Sequence, residues 1–358
     1  MIVRTELEAN SLRTTHEAQN FLTRAAALFA AKPFTPHPIF KTGNAQTLAA
    51  WAWPRRYRLE RPPLDEERLF ETEPGVKVLG HCRWQKERPK HATVVIWHGM
   101  EGSASSIYMI ATADKAFRAG FNVVRVNYRN CGGTEHLTPT LYHGGLSDDL
   151  RVVVNQLIEN DGLNQIFLLG FSLGGNMVLK LAGEYGENVP SEVVAAGVVS
   201  PSVDLQASAE LIISRRNWLY HKQFMRSLKN RIRLKQKLFP DVYDLSRLPQ
   251  IRNLREFDEE FTSRASGFLN AGDYYYRASS IRVVANIRIP TLIIHAEDDP
   301  FIPFDALRHA DISDNPYIML VATERGGHVA FISSSTDEDR FWAENRVVEF
   351  FQLASGDR

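Results

Sequence analysis

The sequence predicts an α/β protein in which a mostly parallel, doubly wound sheet is interrupted by a helical cap. Three observations carry this. From about residue 93, short apolar runs alternate with helix-forming stretches, the pattern of parallel strands covered by helices on both faces. Residues 204–280 break that rhythm and read as several helices inserted between two core strands. The chain of 358 residues is 44% hydrophobic, 23% charged and 10% aromatic, the balance of a globular protein able to bury a large core.

Taken in order, residues 1–60 are rich in alanine and aromatics, hold Pro33, Pro36 and Pro38, and read as an extension packed on the core. Within them Phe21, Leu22, Ala25, Leu28 and Phe29 follow helical spacing and form one apolar stripe. The stripe is expected to pack on the protein body, with peripheral membrane contact as the alternative. Glu6, Glu8 and Glu17 precede it and Arg24 interrupts it, so it reads as a poor secretory h-region. Residues 69–84 alternate weakly about a Pro74-Gly75 turn and read as antiparallel edge strands. Core strands follow at 93–97, 122–127, 165–170 and 194–200, and after the insertion at 291–295 and 317–321. Helices fit 147–159, 173–185, 304–310 and 337–353, which leaves 61–203 and 281–358 as the core domain.

Charge excludes some function classes. Lys plus Arg and Asp plus Glu number 42 each, so no global field draws the molecule onto nucleic acid. The cap holds 14 bases and 9 acids, and from Arg215 to Lys237 nine bases occur without an acid. A solvated helix face is the plain reading; a surface attractive to phosphate or carboxylate groups, involving Lys229, Arg231 and Arg233, is the functional one. Cys82 and Cys131 form neither a disulfide framework nor a Cys-x-x-Cys zinc pair, so no metal or cofactor is expected and a cytoplasmic, reducing compartment is. No apolar run reaches the roughly 18 residues that span a bilayer.

Chemistry concentrates at Gly170-Phe171-Ser172-Leu173-Gly174, a G-x-S-x-G nucleophile elbow lying between an apolar strand and a helix-forming run. A serine hydroxyl needs a base within reach and an acid to orient that base. Strand 291–295 runs into Glu297-Asp298-Asp299-Pro300, which puts acids at the carboxyl end of a strand; Asp299 is the preferred orienting acid, with Asp298 and Glu297 left open. After the next strand, Gly326-Gly327-His328 places His328 in a glycine-flexed loop as the base. Two backbone donors are needed for the oxyanion. One is Leu173, after the nucleophile; the other is Met100 in His98-Gly99-Met100-Glu101-Gly102, a loop that His98 is expected to shape.

Several separated stretches then carry a family resemblance. They include Gly43-Asn44-Ala45-Gln46-Thr47-Leu48, Asn127-Tyr128-Arg129-Asn130-Cys131-Gly132-Gly133, Tyr142-His143-Gly144-Gly145, Phe257-Asp258 and Asp273-Tyr274-Tyr275, beside the 98–103 loop, the elbow through Asn176 and Asp298-Asp299-Pro300-Phe301. From about residue 35 onward the chain resembles the YheT-type branch of the α/β-hydrolase superfamily. The resemblance implies the α/β-hydrolase fold and a carboxylic ester or lipid-ester hydrolase, and Met100 stands where the branch often has leucine. His143 and Asp148 also match an H-x-x-x-x-D spacing read in this branch as acyltransferase-like; a bracing role is preferred. Cys131 reads as a small packing residue.

The expected function is hydrolysis of a small-molecule carboxylic ester, short- to medium-chain or lipid-like, through an acyl-enzyme on Ser172. An acyltransferase or thioesterase on the same triad is the alternative, and a non-catalytic binding protein is disfavoured by the intact serine, acid and histidine. Halide or epoxide chemistry would require aspartate where Ser172 stands.

Overall fold

Aliphatic and β-branched runs build the centre of the molecule because each strand there is covered on both faces. In the computed structural model, which describes residues 14–53 and 65–356, the strands are β1 (Glu66–Glu73), β2 (Val76–Arg83), β3 (Thr93–Trp97), β4 (Asn122–Val126), β5 (Ile166–Phe171), β6 (Val193–Val199), β7 (Thr291–Ala296) and β8 (Ile318–Thr323). They form one sheet in the order β1-β2-β4-β3-β5-β6-β7-β8. The β1–β2 and β2–β4 pairs are antiparallel and the rest parallel. The expected edge hairpin is therefore present, turning at Pro74-Gly75 with Gly75 at φ 77°.

Alternate residues of each central strand enter different cores. Val94, Ile96, Phe167, Leu169 and Phe171 pack on one face, and Val95, Trp97, Ile166 and Leu168 on the other. The longer helices are α1 (Thr15–Ala30), α2 (Gly43–Ala52), α3 (Ile107–Arg118), α4 (Ser147–Asp161), α5 (Leu173–Tyr185), α6 (Leu205–Ile213), α7 (Trp218–Leu238), α8 (Ala271–Ala278) and α9 (Trp342–Gly356). On the face holding Phe167, α9 supplies Phe350 and Phe351, and α1 lays Phe21 edge-on against Phe350 at 5.1 Å. The stripe Phe21, Leu22, Ala25 and Phe29 is thus buried. Residues 1–13 and 54–64, which carry parts of the expected extension together with Glu6 and Glu8, lie outside the described residues.

Two helical expectations differ in detail. Residues 304–310 form a 3-10 turn at Phe304–Arg308 and a short helix at Ala310–Ser313, because the extended His309 (ψ 139°) splits the run. The closing helix starts at Trp342 rather than 337, since 331–341 folds back on itself: Ser333 N–H donates to Arg340 O (2.7 Å) and Trp342 N–H to Phe331 O (3.0 Å). Between β6 and β7 the chain is helical, with α7 its longest element, and the strand neighbours of β3 are β4 and β5. Chain direction along the sheet reverses about β3, so the loops leaving β3 and β5 open a crevice at their carboxyl ends. Among the described residues no helix is long and apolar enough to cross a membrane.

Candidate active site

Trp97 pairs with Gly170 at the ends of β3 and β5, which brings the 98–102 loop against the 170–174 turn. Ser172 has φ 54° and ψ −117°, a conformation that costs an L residue on the order of 1–3 kcal/mol. Its surroundings over-determine it: its N–H donates to Val199 O (2.9 Å) and its carbonyl accepts from Asn176 N–H (3.1 Å). A side chain at Gly174 would meet His98 O at 2.5 Å and Trp97 O at 2.6 Å, so only glycine lets helix α5 approach β3 this closely. A β-carbon on Gly99 would lie 3.5 Å from Ser172 Oγ, which measures how closely the 98–102 loop abuts the hydroxyl.

That loop is held by side chains rather than by a ladder. Gly99 N–H donates to the Tyr108 hydroxyl (2.8 Å), Glu101 N–H to the Tyr142 hydroxyl (3.1 Å) and Gly102 N–H to Gly99 O (3.1 Å). Met100 N–H, between them, has no acceptor among the described residues, and neither has Leu173 N–H at the start of α5. His98 is wholly buried, and burial lowers its pKa to about 4. Nδ1 of this neutral ring donates to Gly99 O (2.7 Å), and its Nε2 accepts from Tyr128 N–H (3.2 Å). It joins the loop to the end of β4.

Asp299 and His328 meet across loops that follow β7 and β8. His328 Nδ1 is 2.8 Å from Asp299 Oδ2, while Asp299 Oδ1 accepts from Phe301 N–H (2.8 Å) and Ile302 N–H (3.0 Å). Burial alone would raise the Asp299 carboxyl; the charge and hydrogen bond of His328, with the Phe301 amide, hold it below its ordinary value. Asp298 lies beside it in another role: its Oδ1 accepts from Gly327 N–H (2.9 Å), and burial pushes its pKa up. The His328 ring packs edge-on against Phe301 at 4.8 Å. Ser172, Leu173, Met100 and His328 line one cavity, and Ser172 and His328 are not directly hydrogen-bonded to each other. The cavity is about 460 Å³ and is walled largely by Leu141, Leu205, Ile212, Phe224, Leu228 and Ile302.

Two features were not legible beforehand. The first is a brace from α2: Thr47 Oγ1 donates to Gly43 O (2.7 Å) and accepts His328 N–H (2.9 Å). A β-carbon on Gly43 would sit 1.9 Å from Asp298 O, so the acid loop, the histidine loop and the start of α2 form one contact. The only signal was the 43–48 stretch itself, whose partners lie some 250 to 280 residues away. The second is the inward face of α7. Arg231 Nε donates to Glu101 Oε1 (3.0 Å), Tyr142 donates to the same oxygen (2.9 Å) and Ser227 donates to Oε2. The nine bases therefore do not make one surface: Arg231 serves the loop bearing Met100, Lys229 donates to Ile251 O (2.6 Å), and the wholly buried Lys235 donates to Glu135 O (2.9 Å). Arg233 is exposed.

The competing pair is not brought together. The Asp148 side chain is 86% exposed and bridges to Arg151 (3.2 Å), while His143 packs edge-on to Phe268 and Tyr274 with its pKa lowered to about 3, chiefly by burial. Cys131 is buried, its thiol pushed up to about 12 by burial. Among the described residues no group of three or more His, Cys, Asp or Glu could hold a metal.

A mostly parallel sheet with a strained serine after its central strand, and an acid–histidine pair after the last two, defines an α/β-hydrolase. The family model for the alpha/beta hydrolase fold matches residues 92–335, and the chain belongs to that family. It is 32% identical over 259 residues to YheT of Escherichia coli (strain K12), covering 72% of this chain and 75% of that protein, and so falls in the YheT-type branch. It is also 32% identical over 270 residues to the monoacylglycerol lipase of Saccharomyces cerevisiae, covering 73% of this chain and 59% of the yeast protein. In fold it is similar to the Pyrococcus furiosus esterase Pf2001, with a TM-score of 0.53 at 18% identity over 80% of this chain and 91% of that one. The chain is an esterase- and lipase-type member of its family.

Proposed function

We propose that this protein hydrolyses carboxylic esters with fatty-acyl or similarly apolar acid groups, through a covalent acyl-enzyme on Ser172. Ser172 Oγ attacks the ester carbonyl while His328 Nε2 takes its proton; Asp299 holds the imidazole with its proton on Nδ1 and stabilises the imidazolium that forms. The carbonyl oxygen becomes negative in the tetrahedral intermediate and accepts from Met100 N–H and Leu173 N–H. Collapse breaks the bond to the alcohol oxygen, which leaves with the proton from His328. Water then attacks the acyl-serine with the same base, releasing the acid and restoring the hydroxyl. The apolar cavity takes the acyl chain. Two buried, unpaired cysteines suit a reducing compartment such as the cytoplasm.

The observation that carries this reading is the 2.8 Å Asp299–His328 contact opening on the cavity that Ser172 also lines. Stopped-flow hydrolysis of p-nitrophenyl octanoate tests it. A burst of p-nitrophenol stoichiometric with enzyme, absent in Ser172→Ala, is expected; turnover by Ser172→Ala at the native rate would refute it.

A further inference from the structure

Glu101, the residue after Met100, holds a backbone conformation that its type disfavours. Its φ of 57° lies in the left-handed region, where a side chain is strained and glycine is not. Such strain persists only where the surroundings over-determine it, and here they act on the carboxylate. Oε1 accepts from the Tyr142 hydroxyl (2.9 Å) and from Arg231 Nε (3.0 Å), and Oε2 accepts from the Ser227 hydroxyl. The same Tyr142 hydroxyl accepts Glu101 N–H (3.1 Å), so the side chain and main chain of residue 101 are tied at one point. The Arg231 and Glu101 side chains are 11% and 6% exposed, and a pair this enclosed is costly to break because removing the cation strands the carboxylate.

Two of those donors, Ser227 and Arg231, lie four residues apart on one face of α7. The helix that carries them is itself fixed at both ends. Before its first turn Asn217 Nδ2 donates to Pro300 O (2.6 Å), and near its last turn Lys235 Nζ donates to Glu135 O (2.9 Å). The Arg231 charge is not free to recruit an anionic ligand, since Glu101 meets it at 3.0 Å and Glu135 lies at 3.9 Å. What remains for it is to set the loop. We propose that Arg231 is a positioning residue: acting through Glu101, it holds the 98–102 loop so that Met100 N–H meets the negative oxygen of the tetrahedral intermediate. The inference rests on the ester-hydrolase reading above and makes the oxyanion geometry depend on a helix of the cap.

The test separates the oxyanion from the cavity with two inhibitors of one shape. Ser172 Oγ adds to the carbonyl carbon of 1,1,1-trifluorodecan-2-one, its proton passes to His328, and the former carbonyl oxygen becomes the hemiketal oxyanion. Decan-2-one, a poor electrophile, occupies the cavity without that adduct. The ratio of their inhibition constants is measured for the native enzyme, Arg231→Met, Arg231→Lys, Glu101→Gln and the double variant Glu101→Gln/Arg231→Met. Loss of a whole oxyanion donor costs about 10²–10³ in rate, so a misplaced one in Arg231→Met should lower the preference for the trifluoromethyl ketone by roughly tenfold to a hundredfold. The kcat for p-nitrophenyl octanoate should fall in step, while decan-2-one binding stays within about twofold, the scatter of a change that spares the cavity. Arg231→Lys keeps a cationic donor for the same carboxylate and should recover part of the loss. The double variant should be within about threefold of Arg231→Met, because the two residues act as one unit. A preference unchanged in Arg231→Met, a loss shared equally by both ketones, or losses that multiply in the double variant would overturn the proposal and leave the hydrolase reading intact. A native enzyme with no preference for the trifluoromethyl ketone would fell that reading and the proposal with it. Should Arg231→Met fail to fold, Glu101→Gln decides: a fall in the preference of roughly tenfold is expected, and an unchanged one contradicts the assignment.

Discussion

Asp298 and Asp299 are neighbours in the chain with opposite surroundings, and that contrast assigns them different work. Asp299 meets the His328 ring and two amides, whereas Asp298 holds the Gly327 amide of the histidine loop. Asp299→Asn should therefore lower kcat/KM on the order of 10³–10⁴, as expected when the acid that fixes the imidazole tautomer is lost. Asp298→Asn keeps a carbonyl oxygen for Gly327 and should cost less than about tenfold, the lower range for a perturbed positioning contact. Comparable losses in the two variants would contradict the division. Asp258 makes a separate prediction about stability. Its pKa is raised from 3.8 to about 6 by burial, so the native state binds its proton more tightly than the unfolded chain. Its contribution is fully present below about pH 4 and is lost as pH rises through about 6. Asp258→Asn cannot titrate there, so the melting temperatures of variant and native protein should converge near pH 4 and the variant should melt a few degrees higher above pH 7. A difference that does not vary with pH would contradict this. At this scale the sequence was informative where a motif is local: Ser172 and Leu173 sit in one pentapeptide, and Asp299 could be preferred but not separated from Asp298 and Glu297. What separates them is a contact to residue 328, invisible until the two loops are side by side.

The elements that matter most to the site are the ones whose partners are remote. Helix α2 meets the histidine loop through Thr47, 281 residues away, and α7 meets the 98–102 loop through Arg231 and Glu101, 130 residues apart. Periodicity reports which face of a helix is apolar, not which loop that face will touch. The run of nine bases looked like one charged surface for the same reason, yet Arg231 and Lys235 turn inward. Thr47→Val keeps the volume and removes the acceptor for His328 N–H. We expect roughly a tenfold fall in kcat with little change in KM, since the proposed base is misplaced while valine keeps the volume that Thr47 gives the cavity wall. A rise in KM at constant kcat, measured on the same ester, would assign Thr47 to binding instead. The strands were more legible than the helices because burial on both faces leaves continuous apolar runs, while the start of α9 is set by a fold-back of 331–341 that depends on tertiary hydrogen bonds.

Across the whole molecule, residues 172, 299 and 328 come together only because β5, β7 and β8 end at the same side of one sheet. The packing that holds those strands in line involves both ends of the chain, with Phe21 of α1 against Phe350 of α9 and Phe351 stacked on Phe167 at 4.9 Å. On the proposed mechanism, reactivity of the serine is therefore a property of the folded sheet rather than of the pentapeptide. The alternation of strand and helix made the architecture readable from sequence, whereas the π-helical stretch Asp258–Thr262 in the cavity wall is announced by no periodicity. The most direct measurement is peptide mapping after exposure to a fluorophosphonate, with native and urea-unfolded protein treated in parallel. A single adduct on the peptide bearing Ser172, formed by the native protein and not by the unfolded chain, is the predicted result; an adduct elsewhere, or none on folded protein, would contradict the assignment of Ser172 as the nucleophile.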